Sequence, residues 1–190
     1  MSEPFHGVLP ALITSFTDDG RALDTGALAA NVERLIGAGV GGLVPGGSTG
    51  EFTTLTHAER RRLVEVTVEA AGGRVPVVAG TGALSTRETV ELSVHAEQAG
   101  AAAVMVVPPF YDALSWPELL AHYTAVADAI EIPIMYYNLP SASVSMAVPS
   151  SVNGVMSAGS TPWNGLVVIA VSPDTTRHRQ NVTGFAAGAT

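Results

Sequence analysis

Lysine is missing from all 190 residues; the nine basic side chains are all arginine. An imine with a carbonyl compound needs a primary amine, so the only group that could form one is the α-amino group of Met1. Cysteine is also absent, which excludes disulfides, thiolate catalysis and cysteine-based metal sites. Charge is sparse, at 14% of residues, and the formal net charge of −8 leaves no basic footprint for DNA or RNA. The one basic cluster, Arg60-Arg61-Arg62, stands in a helical stretch beside Glu59 and Glu65 and reads as a solvated helix face. No apolar run approaches the ~20 residues of a membrane span. Residues 1–7 lack the basic and apolar regions of a signal peptide. The expectation is a soluble, cytoplasmic protein with neither nucleic-acid nor membrane partners.

What is present is a hydrophobic fraction of 47% and 20 glycines, the composition of a globular α/β protein. Strand-like runs alternate with helix-like segments, as in βαβ units around a parallel sheet. The runs are 7–16, 41–44, 75–80, 102–107 and 133–137. Between them, Asp24, Thr56, Ser85 and Ser115 are candidate N-caps, and the last three have glutamate three residues on, the capping-box spacing. The predicted helices run from Asp24 to about Ile36, from Thr56 to about Ala71, from Ser85 to Ala99 and from Ser115 to about Ile130. Residues 38–45 resemble 99–106, a weak echo that repeated βα units would produce, and so would chance convergence of short loops. Beyond Ala147 the rhythm degrades, with one further strand candidate at 166–171.

In parallel barrels the chemistry lies at the C-terminal ends of the strands. Three segments fall there. Gly46-Gly47-Ser48-Thr49-Gly50-Glu51 follows the second run, and its backbone amides and two hydroxyls suit a carboxylate or phosphate. Pro108-Pro109-Phe110-Tyr111 follows the fourth, and Tyr136-Tyr137-Asn138-Leu139-Pro140 the fifth. Strand alternation sends Tyr136 and Tyr137 to opposite faces, so only one of them can reach the strand ends. Taken singly, a tight turn and packed aromatic residues would explain all three.

Taken together and in this order, GSTGE, PPFY and YNLP resemble the pyruvate-dependent aldolases of the dihydrodipicolinate synthase and N-acetylneuraminate lyase family, over about residues 5 to 146. The resemblance implies a (β/α)₈ TIM barrel and carbon–carbon lyase or synthase chemistry on pyruvate or another 2-oxo acid. It implies no metal or organic cofactor, and homo-oligomers, since relatives are commonly tetramers. Ser48, Thr49 and Gly50 would hold the carboxylate of the 2-oxo acid, with Ser48 also bonded to a catalytic tyrosine. Tyr137 would be the acid/base, and Tyr111 would complete a proton relay, commonly from a neighbouring subunit.

The chain departs from this pattern in three ways. Family members carry a Schiff-base lysine on the sixth strand, and residues 165–171 contain none. Members acting on aspartate semialdehyde carry an arginine shortly after the YNxP motif, where this chain has Ala142. A complete barrel needs about 250 residues. The expectation is therefore an incomplete barrel of five to six βα units, with a partial barrel domain over 1–147 and a divergent tail over 148–190, as truncation or a frameshift would produce. Catalysis should be impaired, and the alternatives are a non-catalytic binding or assembly module or a barrel that binds a phosphorylated ligand. One outcome follows from the missing lysine: incubation with pyruvate and borohydride should leave no side-chain adduct detectable by mass spectrometry. An adduct on Met1 that vanishes in Tyr137→Phe would show that the fold recruits its own terminus.

Overall fold

The computed structural model describes residues 5–112 and 114–137. The strand candidate 166–171, the tail from 148, Ala142 and the Asn138-Leu139-Pro140 end of the third motif lie outside the described residues.

Among the described residues four α-helices and three short strands follow one another, and helix alternates with strand from α2 onward. They are α1 (Thr25–Gly37), α2 (His57–Ala71), β1 (Val78–Gly80), α3 (Thr86–Gln98), β2 (Ala103–Val106), α4 (Trp116–Ala127) and β3 (Ile134–Tyr136). All strand pairing is parallel, in the order β1-β2-β3, with Val78 opposite Ala103 and Val104 opposite Ile134. The first two predicted strands survive only as single parallel bridges, Ala11 to Val44 and Leu43 to Val77. Proline explains the shortening: Pro10, Pro45 and Pro76 have no N–H to give a ladder, though each still accepts through its carbonyl, from Val44, Gly80 and Leu43 respectively. The chain order of the five segments is nevertheless their spatial order, as in a parallel α/β barrel wall. The first run also ends earlier than predicted, because Phe16 turns back to bridge Leu23 across the Asp19-Gly20 turn, where Gly20 has φ 68°.

The helices start where their caps stand. The Asp24 carboxylate accepts from Ala27 N at 2.8 Å, and Thr56 and Glu59 form a reciprocal capping box. Glu118 accepts from both the amide and the hydroxyl of Ser115. At Ser85 the box is half made: its hydroxyl takes the Glu88 amide, but the Glu88 side chain lies 4.0 Å from Arg60 instead. Helix α4 ends at Ala127, three residues short of the prediction. The chain beyond it is tied down by Glu97, whose carboxylate accepts from the amides of Glu131 and Ile132.

Strand residues segregate by the period of two. Ala79, Val104, Val106, Ile134 and Tyr136 pack under α3 and α4, while Leu43 and Val77 pack under α1 and α2. Val44, Val78, Ala103, Met105 and Met135 form the opposite, inner face. Among the described residues no helix is long and apolar enough to cross a membrane.

A buried histidine joins α3 to α4. His122 is 2% exposed, with Nδ1 2.9 Å from the Thr86 hydroxyl and its ring edge-on to Tyr123. Burial lowers its pKa below the usual 6.5. The unfolded chain therefore takes up a proton that the native chain resists, and stability present above pH 6.5 is lost as pH falls below it. The midpoint of thermal unfolding should fall less between pH 7 and pH 5 in His122→Gln than in the wild type; equal slopes would show that His122 does not govern that loss.

Candidate functional site

The parallel strands end on one side of the sheet, and the loops that follow them meet there around a recess. The recess is narrow and open to solvent. Its walls come from four successive loops: Gly46, Gly47, Ser48 and Phe52; then Gly80 and Gly82; then Val107; and lastly Tyr137, with Met105 as the floor. Of the predicted site residues, the structure brings Ser48 and Tyr137 to the same recess. Tyr137 extends the inner-face row of Met105 and Met135, whereas its neighbour Tyr136 packs edge-on against Tyr123 at 5.1 Å on the helix side. The alternation thus resolves which tyrosine reaches the strand ends.

The Ser48 turn is held from below. Residues Ser48–Gly50 form one turn of 3₁₀ helix whose own bonds use the amides of Gly50 and Glu51. Gly50 is buried, its carbonyl accepts from the Thr14 hydroxyl at 2.6 Å, and a Cβ there would lie 2.9 Å from Leu12 O. Ser48 and Thr49 are exposed. Glu51 leaves the turn at φ 53°, a left-handed conformation that costs a non-glycine residue roughly 1 kcal/mol. Tyr111 is 84% exposed and stands outside the recess, while its neighbour Phe110 reaches back to meet Phe52 edge-on at 5.8 Å.

Arg60 is not on a solvated face. It is 5% exposed, and its Nη2 donates to Gly82 O at 2.8 Å and Gly80 O at 3.3 Å, both carbonyls of the recess wall. The guanidinium lies 5.1 Å from the centre of the Phe52 ring, and Glu88 stands 4.0 Å away. Burial lowers its pKa to about 10, against the opposing pull of Glu88, so it stays cationic at neutral pH. A readable signal existed: positions 60, 63, 64, 67 and 71 form one helical stripe, and the other four are buried too. Three consecutive arginines obscured it, because only Arg60 falls on that stripe. Opposite Arg60, Thr81 is fully buried with its hydroxyl 2.9 Å from Ser93 of α3. Among the described residues no group of three or more His, Asp or Glu side chains could hold a metal ion.

The sequence model of the Dihydrodipicolinate synthetase family matches residues 4–160. The chain belongs to this family. It is 49% identical over 141 residues to the 4-hydroxy-tetrahydrodipicolinate synthase of Methanopyrus kandleri, covering 74% of this chain and 47% of that protein. It matches the structure of YagE, a prophage protein of the dihydrodipicolinic acid synthase family from E. coli K12 in complex with pyruvate. The TM-score is 0.69 and the identity 42%, over 73% of this chain and 46% of the other. An N-acetylneuraminate lyase from Mycoplasma synoviae matches at TM-score 0.67 and 33% identity, over 73% and 48% of the two chains. The chain spans about half the length of these relatives. The expected family is thereby established, and the α/β architecture with it.

The recess depends on close backbone contact at Gly80, where a Cβ would fall 2.2 Å from Gly46 O. Gly80→Ala should destabilise the protein by about 1–3 kcal/mol through forced backbone movement. Gly37, in the last turn of α1, has open space around it, and Gly37→Ala should stabilise by roughly 0.5–1 kcal/mol. Urea unfolding of the two variants checks both signs.

Proposed function

We propose that the recess binds a 2-oxo acid of the pyruvate type, with its carboxylate on the Ser48 turn and its keto group toward Tyr137. The observation that carries this reading is the convergence of Ser48 and Tyr137 on one recess at the C-terminal ends of parallel strands. The YagE match supports the ligand class, since that protein was solved with pyruvate.

In this reading the hydroxyls of Ser48 and Thr49 donate to the carboxylate, and charge-assisted bonds of this kind are stronger than neutral ones. Gly50 keeps the turn close to the first strand segment. The Tyr137 hydroxyl can both donate and accept, so it can move a proton at the keto oxygen or the adjacent carbon. Tyr111 would extend that relay only from a second copy of the chain, because within one copy it stands outside the recess. Carbon–carbon bond making or breaking through an imine needs an amine that no side chain of these 190 residues supplies. The proposed activity of the chain is therefore 2-oxo acid recognition with impaired lyase chemistry.

Thermal unfolding with added ligand tests the proposal. A ligand bound to the native state at a hundred times its Kd stabilises by about 2.7 kcal/mol. Pyruvate and 2-oxobutyrate should raise the midpoint, and Ser48→Ala should reduce the rise. Stabilisation by sugar phosphates alone would overturn the assignment.

A further inference from the structure

The loop over residues 80–83 faces an unusual demand. It carries Gly80 and Gly82 against the recess, and glycine peptides rotate more freely than any others. A carbonyl turned into the recess would repel a bound carboxylate. Two buried groups restrain the loop from behind: Ser93, beside the Thr81 hydroxyl, and Arg60, which takes the carbonyls of Gly80 and Gly82 on one nitrogen. Arg60 also lies over Phe52, which lines the recess and touches Phe110 of the next loop. One side chain on α2 thus engages the loops that follow two successive strand segments and, through Phe52, meets a third.

We propose that Arg60 is a positioning residue of the recess, holding the Gly80 and Gly82 carbonyls away from the bound anion while its buried positive charge favours that anion. The part concerning the anion rests on the 2-oxo acid reading; the part concerning the loops does not. Lysine would keep the charge but lose the planar guanidinium, which lies over the Phe52 ring while one of its nitrogens donates in fixed directions to both carbonyls, so charge and geometry are separable.

The test uses the full chain as wild type, Arg60→Met, Arg60→Lys and, as control, Arg62→Met, a half-exposed arginine paired with Glu65. Hydrogen exchange read by mass spectrometry should accelerate at least tenfold at 46–54 and 80–83 in Arg60→Met, with α1 and α4 unchanged. Arg60→Lys should fall between, and Arg62→Met should match the wild type. Calorimetry should give about tenfold weaker pyruvate binding in Arg60→Met, equivalent to about 1.4 kcal/mol. Binding of the neutral analogue pyruvamide should change far less. Acceleration spread evenly over all helices, or none at the two loops, would overturn the proposal. An equal loss for pyruvate and pyruvamide would remove its electrostatic part. If Arg60→Met does not fold, Arg60→Lys decides, and a lysine variant identical to the wild type in both readouts would sink the idea. Wild-type protein that binds neither compound would refute the 2-oxo acid reading, while the exchange pattern would still decide the positioning role.

Discussion

Gly46 and Gly80 meet so closely that no side chain fits between them, and the geometry at the strand ends follows from that contact. Gly46 takes φ 73°, a conformation that favours glycine, and Gly80 donates its amide to Pro45 O at 2.8 Å. The loop after the second strand segment is thereby pressed flat onto the end of β1. Only from that position do Gly47 and Ser48 reach the recess that Tyr137 closes on its far side. A bulkier residue at either glycine would lift the Ser48 turn as a unit, since Gly50 ties its other end to Thr14 and Leu12. The glycine-rich run is therefore a packing requirement first, and its amides and hydroxyls acquire their chemistry from where that packing leaves them.

The second constraint is the two-residue period of the parallel strands. It puts Val104, Val106 and Tyr136 under the helices and Met105, Met135 and Tyr137 on the inner face. Two adjacent tyrosines consequently have unrelated roles. Tyr136 is core, locked by its ring contact with Tyr123, whose own hydroxyl donates to Val106 O at 2.8 Å. Burial pushes that Tyr123 hydroxyl well above the ordinary phenol range, so it serves as a fixed donor and not as an acid. Tyr137 has the backbone anchor, its amide on Val106 O at 2.9 Å, with its ring at the recess.

How far the sequence could be read depended on whether the signal was local. The caps at Asp24, Thr56 and Ser115 stand where the side-chain spacing puts them, because a cap needs only its own four residues. Strand lengths were over-read: apolar runs such as 7–16 look continuous, but proline at 10, 45 and 76 breaks the ladders to single bridges. The half-made box at Ser85 and the burial of Arg60 share one cause. The Glu88 carboxylate was available to cap α3 and stands instead beside a guanidinium on another helix, a competition between elements 28 residues apart that no local pattern encodes. The meeting of Ser48 with Tyr137 was legible only through the resemblance of three motifs in order, since neither segment alone specifies its neighbour.

Recognition of an anion and covalent capture of its carbonyl are separable demands, and this chain divides them. In the proposed reading the first falls to the glycine backbones, the Ser48 hydroxyl and a guanidinium held behind the wall. The second requires one primary amine, and the sequence has none in its side chains. Nor can the charge of the whole molecule assist the first, because a net charge of −8 repels an anion at long range. Binding must come from short-range fields that survive within the recess itself. A buried cation is suited to that role: desolvation weakens the screening around it, and backbone carbonyls together with an aromatic face compensate much of the cost of burial. Arg60 has that environment, with Glu88 near enough at 4.0 Å to offset its charge in part and too far for a hydrogen bond. In the proposed role the two carbonyl bonds that restrain the wall also place its positive charge, so one side chain would set both the geometry of the loop and the field inside the recess.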